Sequence, residues 1–219
     1  SALAKDRWTD HFIRLFALSG VAVPRFWLGI LFQLWFAYYL GLFPIFGRID
    51  ASVPPPPRFT GLYLVDSLLS LDFAAFKSSL QHIILPALTL ALSPIAQIMR
   101  LVRASMIEQT RKDYILMAQA NGFPANLIVY KYMLKNAFTS TLTIIGLLYG
   151  FFLGGSFLVE TVFTWPGMAR YGIRGLIHKD FNAVVGVTLA VGIGYSLVNF
   201  LVDICYGYLD PRIRYGEER

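Results

Sequence analysis

The sequence predicts an all-α, polytopic membrane helix bundle, and three observations predict it. Hydrophobic residues make up 56% of the 219 positions and charged residues only 15%, where a soluble domain carries about a quarter charged residues. Four stretches of 18 to 23 residues contain no Lys, Arg, Asp or Glu, close to the ~20 apolar residues a helix needs to cross the hydrocarbon core of a bilayer. Between the second and third of them lies a long polar, basic segment, 100–136. It carries Arg100, Arg103, Arg111, Lys112, Lys131 and Lys135 against only Glu108 and Asp113, which marks a cytoplasmic face.

The chain opens at Ser1 in a polar, charged stretch and shows no basic-then-apolar leader with a cleavage site. The expectation is that upstream sequence precedes it. A short apolar run, 15–23, is interrupted by Pro24 and Arg25. The first span is placed at about 26–46, with an oblique entry from Phe12 left open, and with Trp27, Trp35, Tyr38 and Tyr39 as candidate interfacial rings. Arg25 has two readings: it snorkels to the headgroups, or it faces the inside of a bundle and lines a path.

An external loop of about 47–81 follows. Pro54, Pro55, Pro56 and Pro57 make a stiff polyproline stretch, and 61–76 is amphipathic enough to lie as a short helix at the surface. Its basic residues, Arg48, Arg58 and Lys77, are balanced by Asp50, Asp66 and Asp72. The second span, about 82–102, holds Pro86 and Pro94. Prolines cost helix hydrogen bonds, which favours a bundle with an internal cavity or a kinked gate over a plain anchor.

The segment 103–136 reads as a cytoplasmic helix–bend–helix. Two short helices, about 111–121 and 125–135, are separated where Gly122 and Pro124 break the pattern. The third span, about 137–159, carries Gly146, Gly150 and Gly154 at four-residue spacing, and the fourth, about 182–207, carries Gly186, Ala190 and Gly194. Such stripes let helix backbones approach closely in lipid, and a smooth wall for a substrate passage is the other reading. Between these spans an external loop, about 160–181, contains a turn at 164–167 and the bases Arg170, Arg174 and Lys179. Asp203 reads as an interfacial, hydrogen-bonded carboxylate, with a buried proton relay as the alternative. The lone Cys205 excludes an intramolecular disulfide and reads as a packed thiol.

With both ends and 100–136 on one side, twelve basic residues fall on that side and six on the other, in agreement with a positive-inside topology. The net charge of +6 follows from this topology and does not call for nucleic acid. No Gly-Lys dipeptide, hence no phosphate-binding G-x-x-x-x-G-K loop, occurs, and no G-x-S-x-G. His11, His82 and His178 have no metal-binding spacing. Few ionisable groups lie in the spans, which speaks against a proton-driven carrier or a voltage sensor. Uphill transport would therefore draw its energy from another subunit, arriving at 103–136. A channel, a secondary carrier or an inert membrane scaffold are the rival classes.

Several runs together resemble the permeases of dipeptide/oligopeptide/nickel ABC importers. They are AQANG (118–122), KNA (135–137), VETVFTWPGMAR (159–170) and YLDPRIRYG (208–216), with HIILPALTLAL (82–92) and RASMIE (103–108) in the right order. Pro124 stands where many members have Ser, Ala169 replaces a frequent Gly, and no acidic residue adjoins Ala118. The resemblance implies a permease of six spans, of which four are visible here, so that 1–219 is one transmembrane domain lacking its N-terminal part. It implies a second homologous permease subunit, two ABC ATPase subunits that bind ATP and Mg, and an extracytoplasmic solute-binding protein, in a bacterial or archaeal inner membrane. No cofactor is expected on this chain. The ATPase-coupling residues it implies are Ala118, Ala120 and Gly122, with Asp113, Lys135 and Asn136 beside them. Trp165, Pro166, Gly167, Arg170 and Arg174 are implied to meet the binding protein or to close the outer mouth, with plain solvated charge as the other reading for the two arginines. Peptides are the cargo implied first; nickel, glutathione or another small solute are the alternatives.

Overall fold

The computed structural model describes residues 23–209, apart from the side chains at 139–140, 143, 151, 153–155, 206 and 208–209. The basic residues counted at the two ends and the seam glycine Gly154 lie outside that description. All regular structure among the described residues is helical, as predicted.

Helix α1, Arg25–Phe32, starts directly after Pro24 and continues as a π-helical stretch, Gln33–Tyr39. Helical structure therefore covers less than the charge-free run promised. The chain leaves the helix at Gly41 (φ +61°) and turns again at Gly47 (φ +92°), with Pro44 between them. Two glycines in left-handed conformation and a proline cannot continue a helix, however apolar their neighbours. Gln33, the one strongly polar residue of the run, ties this return down. Its amide donates to the carbonyls of Ile45 (2.8 Å) and Val162 (3.0 Å).

Helix α2 is Tyr63–Leu69 and helix α3 is Phe73–Gln109. Asp72 caps α3 by accepting the Ala75 N–H at 3.0 Å. The helix runs unbroken through Pro86 and Pro94, which are both buried. The carbonyls they leave free belong to His82, which is buried, and Leu90, which is half-buried, and a broken hydrogen bond is tolerated where protein covers it. Helix α4 is Asp113–Ala120. Helix α5, Ala125–Leu127, passes through a π-helical turn, Ile128–Met133, into α6, Leu134–Gly155. The second short helix expected to end near Lys135 does not end there. The sequence 134–138, LKNAF, contains no glycine or proline, and a change from polar to apolar residues does not stop a helix. Helices α7, Phe157–Val162, α8, Met168–Ile177, and α9, Phe181–Leu209, complete the described residues. Among the described residues Phe73–Gln109 and Phe181–Cys205 are long and apolar enough to cross a membrane. Cys205, read from sequence as packed, is exposed.

The chain divides into two compact units. One holds Val23–Ser93 and Gly154–Leu189, with Ala37, Leu85, Val159 and Phe163 at its core. In it a Cβ on Gly29 would lie 3.1 Å from the Phe163 ring, while Gly172 and Gly175 of α8 bring that helix against Val187 and Ala183 of α9. The other unit holds Pro94–Leu153 and the described part of Ala190–Arg219, and its core joins Met106, Ile115, Ala118, Ile128, Met133 and Ala137. Gly146 faces Val202 and Asn199, and a side chain on Gly150 would overlap the Tyr195 ring. Gly194 is half-buried. Gly186, in the first unit, has open space around its Cβ position in this chain.

Candidate functional site: the segment between α3 and α6

Eight residues make a marginal helix on their own, so α4 depends on what it packs against. Ile115 and Ala118 are its buried positions, and they meet Met106 of α3, Ile128 and Met133 of the π-helical turn, and Ala137 of α6. Ala118, implied as a coupling residue, is thus committed to the chain's own core, and its small size sets how closely α4 lies to α3 and α6. Ala120, Asp113, Lys135 and Asn136 are exposed.

The bend at the end of α4 is a Schellman motif. The Phe123 N–H donates to the Ala118 carbonyl at 3.1 Å and the Gly122 N–H to the Gln119 carbonyl at 3.0 Å, with Gly122 at φ +72°. A Cβ on Gly122 would meet nothing within 4 Å. Glycine is required there by the backbone and not by crowding. Pro124, with φ −63°, then opens the next helix at its N-cap. The same motif closes three further helices with residues other than glycine in the left-handed position: Leu71 after α2, Thr164 after α7 and Lys179 after α8.

A hydrogen-bonded chain ties the three helices of the segment together. The Asn136 side-chain amide donates to the Tyr114 hydroxyl at 3.0 Å and to the Tyr132 carbonyl at 3.0 Å, and the Tyr114 hydroxyl donates to Gln109 at the end of α3. Phe123 stacks on Tyr132 with ring centroids 6.2 Å apart. Asn136 was legible as part of a family motif. Tyr114 and Gln109 were not, because contacts at separations of 5 and 22 residues leave no periodic trace. Lys112 pairs with Glu108 at 3.0 Å, an exposed i,i+4 pair of small energetic weight.

The surface that results is not simply basic. Arg111, Lys112, Lys131 and Lys135 are exposed, but so are Leu116, Met117, Phe123 and Tyr130. Exposed apolar side chains among cations are the composition of a protein-docking surface.

The residues implied for the outer face lie in the other unit and are mostly engaged within it. The Glu160 carboxylate accepts the Ser156 hydroxyl (2.6 Å) and the Arg170 N–H (2.7 Å), so it caps α8 from the preceding helix. Gly167 is needed there because a Cβ would run into that carboxylate. Glu160 was not singled out from sequence; its i,i+4 spacing from Ser156 was the available signal. Trp165 is half-buried, 5.6 Å from the guanidinium of Arg48, which also stacks 3.9 Å from the Tyr63 ring and donates to the Gly61 carbonyl at 2.8 Å. Pro166 and Arg174 are exposed, and Arg170 is half-buried.

Two aspartates organise this loop. Asp66 is buried, which by itself raises its pKa. Hydrogen bonds from the Thr60 hydroxyl, the Thr60 N–H and the Gly61 N–H outweigh that effect and hold the carboxyl below the usual carboxylate range. Asp50 is also lowered, chiefly by the Ser52 N–H and hydroxyl. Asp50, Lys77 and His82 line a recess of about 540 Å³. Among the described residues no group of three or more His, Cys, Asp and Glu comes together as a metal site.

Comparison with known proteins gives these features a setting. Residues 1–215 match the family described as binding-protein-dependent transport system inner membrane component. A probable D,D-dipeptide transport system permease protein of Escherichia coli strain K12 is 43% identical over 216 residues, which is 99% of this chain and 64% of that protein. A dipeptide transport system permease protein of Alkalihalophilus pseudofirmus is 40% identical over 98% of this chain and 64% of its own length. An oligopeptide transport system permease protein of Bacillus subtilis is 32% identical over 94% of this chain and 59% of its own length. The chain therefore spans a little under two thirds of these relatives. A match that runs through nearly every residue leaves one assignment: the chain belongs to the family of binding-protein-dependent transport system inner membrane components.

Proposed function

We propose that this chain is the transmembrane permease subunit of an ATP-driven importer that carries di- or oligopeptides across the inner membrane. The observation that carries the reading is the segment from α3 to α6: a small helix locked to its own chain on one side and presenting Leu116, Met117 and Phe123 among cations on the other. The relatives' names support peptides as the cargo. In this reading the segment faces the cytoplasm and docks on an ABC ATPase, and a second permease subunit, a second ATPase and an extracytoplasmic binding protein complete the assembly. ATP and Mg belong to the ATPases. The apolar stretches of α3 and α9 are two of its membrane crossings, with both ends of the visible chain cytoplasmic.

The mechanism follows from the packing. Ile115, Ala118 and the Asn136–Tyr114–Gln109 chain make the docking helix rigid with α3 and α6. When two ATPases close on ATP, that body moves as one. The route then switches between outward and inward openings, by a population shift between two packings.

The test is reconstitution of the full-length permease with its cognate partners in proteoliposomes. Copurification of the ATPase and ATP-dependent uptake of labelled dipeptide are expected. Uptake without any ATPase would overturn the reading in favour of a channel or secondary carrier, and a binding protein that retains only nickel or glutathione would overturn the cargo.

A further inference from the structure

Helix α2 is inside out for a helix at a watery surface. Asp66 and Ser67 are buried, while Leu62, Val65, Leu68 and Leu69 are exposed along the opposite face, followed by Leu71 (73% exposed) and Phe73 (71%). The inward polar face is fully provided for. Asp66 takes three hydrogen bonds from Thr60 and Gly61, and the Ser67 hydroxyl donates to the Tyr63 carbonyl at 2.6 Å. The cation of Arg48 covers the Tyr63 ring from within the loop. The segment thus uses its own polar groups to hold an apolar row outward, a pattern that water would oppose.

The long helix that follows fixes the level of this row. Between Lys77 and Arg100 lie 22 residues without a formal charge. At ~1.5 Å per residue they cover about 33 Å, against about 30 Å for a hydrocarbon core. Lys77 and Arg100 therefore mark its two boundaries. Phe73 stands one turn beyond Lys77, about 6 Å further out, inside a headgroup layer of roughly 5–7 Å. The exposed row is also continuous with the span: Phe73, Lys77, Leu80 and Leu88 fall on one exposed face of α3. Lys77, in the middle of that face, reaches outward along its own stem. Trp35, Tyr38 and Tyr39, where α1 gives way to this loop, are exposed rings of the kind that gather at the same level.

We propose that 62–73 is an interfacial anchor, with Leu62, Leu68, Leu69, Leu71 and Phe73 inserted among the headgroups and upper acyl chains of the leaflet at the Lys77 end of α3. Only the naming of that leaflet as the outer one rests on the proposed function. The anchor keeps the loop that carries Arg48 at a fixed depth. Its occupant is lipid because the exposed apolar residues continue on both sides of Lys77, from Phe73 to Leu80 and Leu88, along a face of the span.

The test uses the full-length permease in its assembled complex, in nanodiscs of phosphatidylethanolamine and phosphatidylglycerol. Cys205→Ser is the background, and nitroxides are placed on Leu62→Cys, Leu69→Cys and Leu71→Cys, with Ala51→Cys as the solvent-side control. The ratio of collision with oxygen to collision with a water-soluble nickel chelate is expected to be at least about threefold higher at the three leucine positions than at Ala51→Cys. A ratio equal to that of the control would overturn the proposal, as would protection from both reagents, which means protein cover. Protection that appears only when binding protein is added would assign the row to that protein instead. The measurement needs no transport, so a complex that fails to import peptides would sink the proposed function and leave this result standing.

Discussion

The side-chain amide of Asn136 donates to the hydroxyl of Tyr114 at 3.0 Å, joining positions 22 residues apart on the two sides of the bend. The hydroxyl passes the connection to Gln109. Tyr114→Phe removes both links and leaves the ring. A solvent-exposed bond of this kind contributes about 0.5–1 kcal/mol, and Asn136→Ala should cost a similar amount. If the two residues act through each other, the double variant loses less than the sum of the two single ones, because the Asn136–Tyr114 bond is counted in both. Thermal unfolding of the complex and peptide-stimulated ATPase activity, measured on all four combinations, check this. Strictly additive losses would mean that the contact carries no coupling.

Gly122→Val places a β-branched side chain at φ +72° with free space around it. The cost is purely one of backbone conformation, about 1–2 kcal/mol. Uptake and ATPase stimulation are expected to fall together while insertion in the membrane is retained. Gly122→Asn should keep most of both, because Asn tolerates the left-handed region. Equal loss in the two variants would point to crowding by a partner instead of to the turn.

The four-residue glycine spacings make opposite predictions at two positions. Gly150→Leu drives a side chain into Tyr195 and should lower stability by about 1–3 kcal/mol. Gly186→Ala adds a Cβ in open space within this chain and should be neutral or stabilising by up to about 1 kcal/mol. Detergent-solubilised melting temperatures of the assembled complex separate them. A large loss at Gly186→Ala would place another subunit against that residue.

The folded pKa of Asp66 is depressed. Its contribution to stability is therefore complete above the unfolded carboxylate value of about 3.9 and disappears as pH falls through the lower folded value. Mobility of a label in 58–62 is expected to stay constant through neutral and mildly acidic pH and to rise below about pH 4. Asp66→Asn should be mobile at every pH and lose that acid step. A step near neutrality would assign the transition to another group.

Much of this molecule was legible before any coordinates. Charge-free runs announced the helical class, and Gly122 with Pro124 announced the bend in the right place. Apolar runs, however, report burial or lipid and not where a helix stops. The return at 41–47 was hidden inside the first run because Gly41 and Gly47 change backbone geometry without changing hydropathy. The opposite error occurred at 135–137, where the polarity changes and the helix does not. The run 118–122 was legible as small residues, yet the role of Ala118 as a core residue was not, since small size serves a packed interior and a docking face alike. Long-range polar contacts, such as Glu160 capping α8 and Gln33 holding Ile45 and Val162, left no sequence period to read.

The unbroken run of α5, the π-helical turn and α6 spans 31 residues, from Ala125 to Gly155, about 46 Å at the rise of an α-helix. A rigid shaft of that length is a lever. Tilting it by about 5° at the Ala125 end sweeps the other end through roughly 4 Å, more than half the pitch of a helix. A hinge at Lys135 would have absorbed such a tilt. Its absence means that a nudge of a few degrees at the bend arrives undiminished at the far end of the rod.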